Sequence, residues 1–170
     1  KYTPVTILGK MFQYLAAQTK THIVCHVDHG YTFNECLEGI DNGFSSVMFD
    51  GSKLSIKENI KLTSLIVKRA HAANVSVEGE VGFVGYNNGK SSTGTIIEEV
   101  ELFSKESGVD AIAISVGNMH LQAKKNAKID INKIKKIESV TNIPLVLHGG
   151  SGIPSNIRKK ISRITNVAKF

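Results

Sequence analysis

Side chains that bind metals or move protons follow several short apolar runs of this sequence. Residues 23–30 read IVCHVDHG, so that Asp28 and His29 stand at the end of an apolar run. Further runs lead to residues of the same chemical kind, namely Asp50, Glu80, His120 and His148. Core packing gives no reason for this arrangement, whereas a parallel α/β barrel builds its active site at the carboxyl ends of its strands.

Three of these residues, His29, His120 and His148, predict a catalytic zinc site. Zinc in catalytic sites commonly takes three protein ligands and leaves one position open. A single histidine near a strand end is more often structural, so the prediction depends on finding three at equivalent positions of three strands. His26 shares a strand face with Asp28 and is interpreted as support for the ligands, with simple packing as the alternative.

Carboxylates accompany the three histidines. Asp28 adjoins His29 and would lie beside the metal, where it could exchange a proton with a substrate hydroxyl or carbonyl; orienting a histidine is the alternative role. Asp50 and Glu80 end two neighbouring strands. An interior carboxylate needs a partner or a cation. This pair therefore suggests a position for a second cation, divalent or monovalent, with ordinary solvated strand ends as the alternative.

A glycine-rich turn follows the last of the three histidines. Residues 148–152 read HGGSG and precede a helix that should begin near Ser155. The backbone N–H groups of Gly149 and Gly150 and the hydroxyl of Ser151 could hold a phosphate. Such turns are common, but phosphate sites in α/β barrels are often built after strands seven and eight, which strengthens the interpretation.

Strand-like and helix-like segments alternate along the chain. The predicted strands cover residues 23–27, 46–49, 75–81, 111–116, 144–148 and 167–170. Helices are expected between them, and another over residues 5–20. Short, nearly continuous apolar strands alternating with helices are typical of βα units with a parallel sheet covered on both faces.

Local signals place the ends of the helices. Capping boxes, in which a hydroxyl and a Glu three residues later satisfy orphaned backbone donors, are predicted at Thr32, Ser55 and Thr95. Further helix caps are expected at Asp130 and Ser155, and helix stops at Asn42-Gly43 and Gly108.

The number of strands decides between two α/β architectures. A closed (β/α)₈ barrel usually takes about 250 residues, and this chain has 170. Either the sheet is open and doubly wound, or the chain is part of a TIM barrel that covers about six of the eight strands. We favour the second: one domain over residues 1–170, lacking the first strands and the C-terminal helices. The chain begins with Lys1 rather than Met, which predicts preceding residues.

Composition narrows the class of protein. The net charge is +6, but basic residues are scattered and only 6% of residues are aromatic, which argues against nucleic-acid binding. No apolar run approaches the roughly 18 residues of a membrane helix, and no signal peptide is evident. Cys25 and Cys36 form no motif. These observations predict a cytoplasmic protein without membrane or nucleic-acid partners.

Four motifs together resemble the class II, zinc-dependent fructose-bisphosphate and tagatose-bisphosphate aldolase family. In this sequence they read HVDHG at residues 26–30, EGEVG at 78–82, GNMH at 117–120 and LHGGSG at 147–152. They occur in the family's order, and the similarity covers nearly the whole chain. The combination is highly specific, although none of the shorter pieces would be by itself.

The resemblance implies a (β/α)₈ barrel and a role for each site residue. His29, His120 and His148 would bind zinc, Asp28 would donate and accept a proton, and Asp50 and Glu80 would form an alternate metal position. Contacts with dihydroxyacetone phosphate would come from Gly149, Gly150 and Ser151. The family is generally dimeric or tetrameric, so a homodimer or homotetramer is implied.

Two departures from the family pattern bear on function. The family usually has a glutamate in a mobile loop where this chain has Asn87 and Asn88, and often has Gly where this chain has Leu121. The main hypothesis is reversible cleavage of a fructose or tagatose 1,6-bisphosphate, or a related phosphorylated ketose. The alternatives are a zinc hydrolase or lyase on the same barrel and a degenerate sugar-phosphate-binding or assembly subunit without turnover.

Overall fold

A computed structural model describes residues 3–86, 92–122 and 124–170. The helices are α1 (Val5–Ala17), α2 (Phe33–Asp41), α3 (Ile56–His71), α4 (Ile97–Glu106), α5 (Ile131–Glu138) and α6 (Ser155–Ile164). The strands are β1 (His26–Gly30), β2 (Ser46–Phe49), β3 (Ser76–Val81), β4 (Ala111–Ile114), β5 (Leu145–Val146) and β6 (Val167–Lys169). A short 3₁₀ turn, Gly150–Gly152, precedes α6.

All neighbouring strands are parallel, and their order in the sheet is their order in the chain. An open doubly wound sheet would reverse that order at a switch point. The topology therefore confirms the barrel interpretation. The sheet also curls, because Lys169 Nζ on β6 lies 3.1 Å from His26 Nε2 on β1. Side chains from the first and last strands therefore meet on the inner face.

The main hydrophobic core lies between the sheet and the helices. Phe49 on β2 and Phe103 on α4 are among its largest fully buried side chains. Gly79 on β3 makes room for the Phe103 ring, which occupies the space that a Cβ at this position would need. A second, smaller cluster on the sheet contains Met48, Ala113 and Val146.

The first strand lies later in the chain than its apolar run suggests. Residues 23–27 were predicted, but β1 covers His26–Gly30. Pairing with β2 begins with the backbone N–H of Ser46 donating to the carbonyl oxygen of Cys25. Ile23 and Val24, which precede this bond, are exposed. The strand consequently includes the residues of the HVDHG motif instead of ending before them.

Most helix boundaries agree with the sequence signals, and two caps are wrong. Thr32 and Ser55 form the predicted capping boxes, and Asp130 accepts from the backbone N–H of Lys133. Thr95 does not cap α4, because its hydroxyl bonds instead to the backbone of Val81 in β3 and of Ser115, which follows β4. Ser155 is the first residue of α6, and no side chain caps that helix.

Other helix ends follow the predicted pattern. Gly43 and Gly108 have positive φ angles and follow the C-cap residues of α2 and α4, as expected of residues that end helices. Helix α1 ends at Ala17, three residues before the predicted end.

No helix among the described residues is long and apolar enough to cross a lipid bilayer.

Candidate metal centre and phosphate turn

The three predicted zinc ligands meet at the carboxyl end of the sheet. The ring centroid of His29 lies 4.6 Å from that of His148 and 5.0 Å from that of His120. The remaining pair, His120 and His148, is separated by 5.6 Å. One ring nitrogen from each histidine falls within 4.8 Å of the others, so the three could bind one metal ion.

His29 is oriented by a carboxylate. Its Nδ1 lies 2.9 Å from Asp50 Oδ2, and Asp50 in turn accepts from the backbone N–H and the hydroxyl of Ser52. The other ring nitrogen, His29 Nε2, is buried and has no hydrogen-bond partner in the described structure. A metal ion would satisfy that nitrogen.

His148 is also oriented by a carboxylate, but through Nε2 where His29 uses Nδ1. Its Nε2 lies 2.8 Å from Glu78 Oε1, which leaves Nδ1 as the nitrogen available to a ligand. The backbone carbonyl of His148 accepts from the side-chain amide of Asn118. The ring is buried, so both the backbone and the imidazole of His148 are held in place.

His120 is held by a ring contact. The Tyr86 ring stacks on it with centroids 4.8 Å apart, and the His120 backbone N–H donates to the carbonyl of Gly85. Burial, together with the charges of His29 and His148, lowers the pKa of His120 to about 4. The imidazole is therefore unprotonated at neutral pH, as a metal ligand must be.

The carboxylate of Asp28 lies beside both available nitrogens. Its Oδ1 is 4.0 Å from His29 Nε2 and 3.9 Å from His148 Nδ1. The Asp28 side chain is 67% exposed and so remains accessible from solvent. This is a position from which a carboxylate could exchange a proton with a molecule held at the metal.

Asp50 and Glu80 lie behind His29, on the buried side of the site. His29 Nδ1 is 3.8 Å from Glu80 Oε2, and these three residues form a second group that could hold a cation. Burial and the negative charge of Asp50 raise the pKa of Glu80 to about 8. Glu80 Oε2 has no hydrogen-bond partner in the described structure, so a cation there would remove an uncompensated buried group.

The donor set fits zinc. It combines three imidazoles, one with a buried unpartnered nitrogen, and two of the rings are oriented by carboxylates. Histidine nitrogens with carboxylate partners are common in zinc centres, where the partner fixes the tautomer and raises the basicity of the ligand. The predicted ligands are thus brought together in a chemically suitable arrangement.

The glycine-rich turn lies next to the three histidines. Gly149 has φ 73°, in the left-handed region, and a Cβ there would overlap the carbonyl oxygen of Met119. The 3₁₀ turn and α6 follow, a backbone path whose N–H groups can bind an anion. A cleft of about 460 Å³ joins this turn to the histidines and Asp28; its lining includes Gly149, Gly150 and Ser151.

The structure adds residues that the sequence reasoning did not connect with the site. Lys169 on β6 reaches the inner face of the sheet and lies 2.7 Å from Glu78 Oε2. Its place in a predicted strand was the only available signal. Tyr31 and Tyr86 lie against the rings of His29 and His120. Neither aromatic residue belongs to the motifs that located the histidines.

The family departures have different outcomes in the structure. Leu121 has φ 56° and a side chain 70% exposed, so it holds a backbone conformation that favours glycine. Asn87 and Asn88 lie outside the described residues. The prediction about the missing loop glutamate therefore stays a prediction.

Together, the sheet and the three-histidine centre define an α/β-barrel protein with a candidate metal site at the carboxyl ends of its strands. Comparison with known proteins gives the family. The family model described as fructose-bisphosphate aldolase class-II matches residues 1–170. The chain belongs to the class II fructose-bisphosphate aldolase family.

Curated relatives of two names are similar to this chain. A 6-phospho-5-dehydro-2-deoxy-D-gluconate aldolase of Shouchella clausii is 44% identical over 155 residues, which cover 89% of this chain and 52% of the relative. A fructose-bisphosphate aldolase of Helicobacter pylori is 42% identical over 145 residues, covering 81% and 47%. The chain thus spans about half the length of the curated relatives it matches.

Solved structures of aldolases share the fold. The YdjI aldolase of Escherichia coli superposes with a TM-score of 0.83 at 26% identity, covering 98% of this chain and 60% of that protein. A putative fructose-1,6-bisphosphate aldolase of Coccidioides immitis gives 0.84 at 27% identity, covering 96% and 61%. The similarity extends over almost all of the present chain.

Proposed function

We propose that the protein is a class II aldolase that reversibly cleaves a phosphorylated ketose into dihydroxyacetone phosphate and an aldehyde. The observation that carries this proposal is the placement of Asp28 about 4 Å from the available nitrogens of His29 and His148. Membership of the family supports it. The chain spans about half the length of its curated relatives. The proposed activity is therefore that of a complete barrel.

Three histidines would hold the catalytic zinc: His29 through Nε2, His148 through Nδ1, and His120. Zinc bound there would supply a Lewis acid that polarises the ketone of the substrate. With such a group present, no lysine is required to form a Schiff base with the ketone. Asp50 and Glu80 would provide the position for a second cation or an alternate place for the first.

Asp28 would carry the proton transfer. In the cleavage direction its carboxylate would accept the proton of the C4 hydroxyl as the C3–C4 bond breaks and the C4 oxygen becomes the aldehyde carbonyl. The electron pair of that bond would pass to C3 and the adjacent ketone, and C3 would then take up a proton from water to give dihydroxyacetone phosphate. In the condensation direction the same group would return the proton. Its exposure beside two ligand histidines allows contact with substrate without requiring Asp28 to bind the metal.

The glycine-rich turn would bind the phosphate of the dihydroxyacetone phosphate half. Gly149, Gly150 and Ser151 line the same cleft as the histidines, so their backbone N–H groups and the Ser151 hydroxyl could contact this phosphate. Gly149 is required for the close approach of this turn to Met119. Neighbouring phosphate and metal sites would orient the ketone toward Asp28.

Two substrate classes follow from the names of the relatives. Fructose 1,6-bisphosphate and 6-phospho-5-dehydro-2-deoxy-D-gluconate each carry a ketone next to a phosphate-bearing carbon. Both therefore suit a site with a metal beside a phosphate turn. We propose them, with tagatose 1,6-bisphosphate, as the substrates to compare.

A degenerate sugar-phosphate-binding protein is the second candidate. It is favoured by Asn87 and Asn88, which occupy the region where the family resemblance implies a loop glutamate. An amide cannot act as a general base. This candidate binds zinc and a phosphorylated ketose but releases no triose phosphate.

The test measures zinc content and release of dihydroxyacetone phosphate for the wild type and two site variants. His148→Ala should lose zinc and activity, whereas Asp28→Asn should keep zinc and lose activity by about 10²–10⁴-fold, the usual contribution of a general acid or base. His71→Ala is the control, because His71 pairs with Asp110 on the exterior of the protein. It should match the wild type in both measurements.

Each outcome has a distinct meaning. Retained zinc-dependent turnover in His148→Ala would reject the assigned centre. Zinc and ketose binding without turnover in the wild type would favour the degenerate protein. Chelator-sensitive hydrolysis that releases no triose phosphate would instead identify a zinc hydrolase on the same barrel.

A further inference from the structure

A chain of polar side chains crosses the inner face of the sheet beneath the candidate metal centre. Lys169 Nζ on β6 donates to Glu78 Oε2 on β3 at 2.7 Å, and Glu78 Oε1 lies 2.8 Å from His148 Nε2. The Glu78 side chain is 4% exposed, so its two oxygens are almost completely removed from solvent. Each oxygen has its own partner, one a histidine of the centre and the other a lysine.

The other end of this chain is anchored on the first two strands. Lys169 Nζ also lies 3.1 Å from His26 Nε2, and His26 Nδ1 lies 2.8 Å from the hydroxyl of Ser46. An ammonium group only donates. His26 Nε2 must therefore accept, which leaves the proton of the neutral ring on Nδ1, facing Ser46. The contacts fix the position of Lys169 from both sides.

The tautomer of His148 is fixed by its contact with Glu78. A carboxylate accepts hydrogen bonds, so Glu78 requires His148 to carry its proton on Nε2. The unprotonated nitrogen is then Nδ1, which lies on the side of Asp28. Without Glu78, nothing else in the described hydrogen bonds of the imidazole would select that tautomer.

We propose that Glu78 and Lys169 are positioning residues for the metal centre, and that Lys169 acts through Glu78. Glu78 holds the His148 ring and its tautomer, while Lys169 neutralises the buried carboxylate and keeps it aimed at the ring. This inference rests on the proposed function, because Glu78 and Lys169 would support the metal site proposed there. It extends that function by making metal affinity depend on a lysine of β6.

A purely structural role for the same ion pair makes a different prediction. A structural pair would change protein stability when broken but would leave the tautomer of His148 and the zinc affinity unaltered. Positioning requires both of these quantities to change. The tautomer is measurable in the zinc-free protein and therefore separates the two roles without any assay of catalysis.

The experiment compares Lys169→Met and Glu78→Gln with the wild type. Zinc affinity is measured by competition with a chromophoric chelator, and the His148 tautomer by the ¹⁵N chemical shifts of its imidazole in the zinc-free protein. Glu78→Gln replaces one of the two accepting oxygens with an NH₂ donor, so it cannot accept at both positions, toward His148 and toward Lys169. We expect about 10–100-fold weaker zinc binding, the range for lost partners of metal ligands, and a mixture of His148 tautomers.

Lys169→Met should weaken zinc binding in the same direction, by about tenfold, and should add a minor second His148 tautomer, because Glu78 loses the cation that keeps it aimed at the ring. Lys169→Arg should restore a large part of the affinity. The matched control is Lys105→Met, which breaks an exposed Lys105–Glu101 pair on α4. It should keep the wild-type affinity and a single His148 tautomer.

An unchanged affinity and tautomer in folded Lys169→Met would overturn the proposal for Lys169, and the same result in Glu78→Gln would overturn it for both residues. If Glu78→Gln does not fold, Lys169→Met and Lys169→Arg still decide the question. A wild type that binds no zinc but has one His148 tautomer, lost in Lys169→Met, would reject the proposed metal function while supporting the positioning contact.

Discussion

His29 and Leu121 hold left-handed backbone conformations next to the candidate metal centre. Their φ angles are 58° and 56°. Such conformations cost free energy for residues with a Cβ and concentrate at functional sites. In His29 this backbone conformation occurs together with a side-chain ring that contacts Asp50 and the other two histidines. The side chain of Leu121 is exposed, and no comparable contact is seen for it among the described residues.

The first prediction concerns Leu121. Leu121→Gly should stabilise the protein by about 0.5–1 kcal/mol, because glycine removes the Cβ penalty of the left-handed region even after its entropic cost in the unfolded chain. Urea unfolding gives the change in free energy. Leu121→Ala is the control: it shortens the side chain but keeps the Cβ and should not gain stability. Equal gains in both variants would assign the effect to the exposed leucyl group instead.

At the scale of elements, Thr95 shows how a local signal is overridden. The spacing to Glu98 suggests a capping box, yet the N-cap of α4 is Ile96. The Thr95 hydroxyl instead donates to the carbonyl of Val81 at 2.6 Å and accepts from the backbone N–H of Ser115 at 2.7 Å. Thr95 thus connects the ends of β3 and β4, where the site residues emerge.

The second prediction follows from that connection. Thr95→Val should destabilise the protein by about 2–3 kcal/mol, because it leaves buried backbone groups of Val81 and Ser115 without partners. That is more than the roughly 1 kcal/mol of an ordinary helix cap. Thr95→Ser keeps the hydroxyl and should recover most of the loss. Thermal or urea unfolding measures both variants; an equal loss in Thr95→Ser would show that the methyl group, not the hydroxyl, matters.

At the scale of the whole molecule, the centre joins strands that are distant in the sequence. His29, His120 and His148 follow different strands, and Lys169 reaches the same network from β6. A metal ion bound by three such residues would oppose unfolding of the entire sheet. The stabilisation from a ligand that binds only the native state is about 2.7 kcal/mol at 100 times its dissociation constant.

The third prediction uses Cys36 as a reporter of global unfolding. Cys36 is fully buried, and burial raises the pKa of its thiol to about 12, so the native thiol is both inaccessible and protonated at pH 8. In a Cys25→Ala background, zinc at 100 times its dissociation constant should slow the reaction of Cys36 with Ellman's reagent by about 100-fold, in line with the stabilisation above. The same rate with and without zinc would mean that Cys36 becomes exposed by local opening.

A considerable part of the protein was predictable from its sequence because the relevant signals are local. The alternation of apolar runs and helix signals predicts a parallel α/β sheet, and the position of each ligand-type residue at a strand end predicts a shared edge. That reasoning selected His29, His120 and His148, and the structure brings them together. Capping at Thr32 and Ser55 was equally readable, since both partners lie within one turn.

What only the tertiary structure decided concerns contacts between strands. Whether Thr95 caps a helix or connects two strands depends on the neighbouring backbone, which a four-residue pattern does not contain. The partners of the two glutamates likewise depend on the curvature of the sheet. It places Glu78 beside His148 and Glu80 beside His29. The sequence therefore determined which ligand-type residues stand at the strand ends, and the curvature of the sheet determined which of them touch.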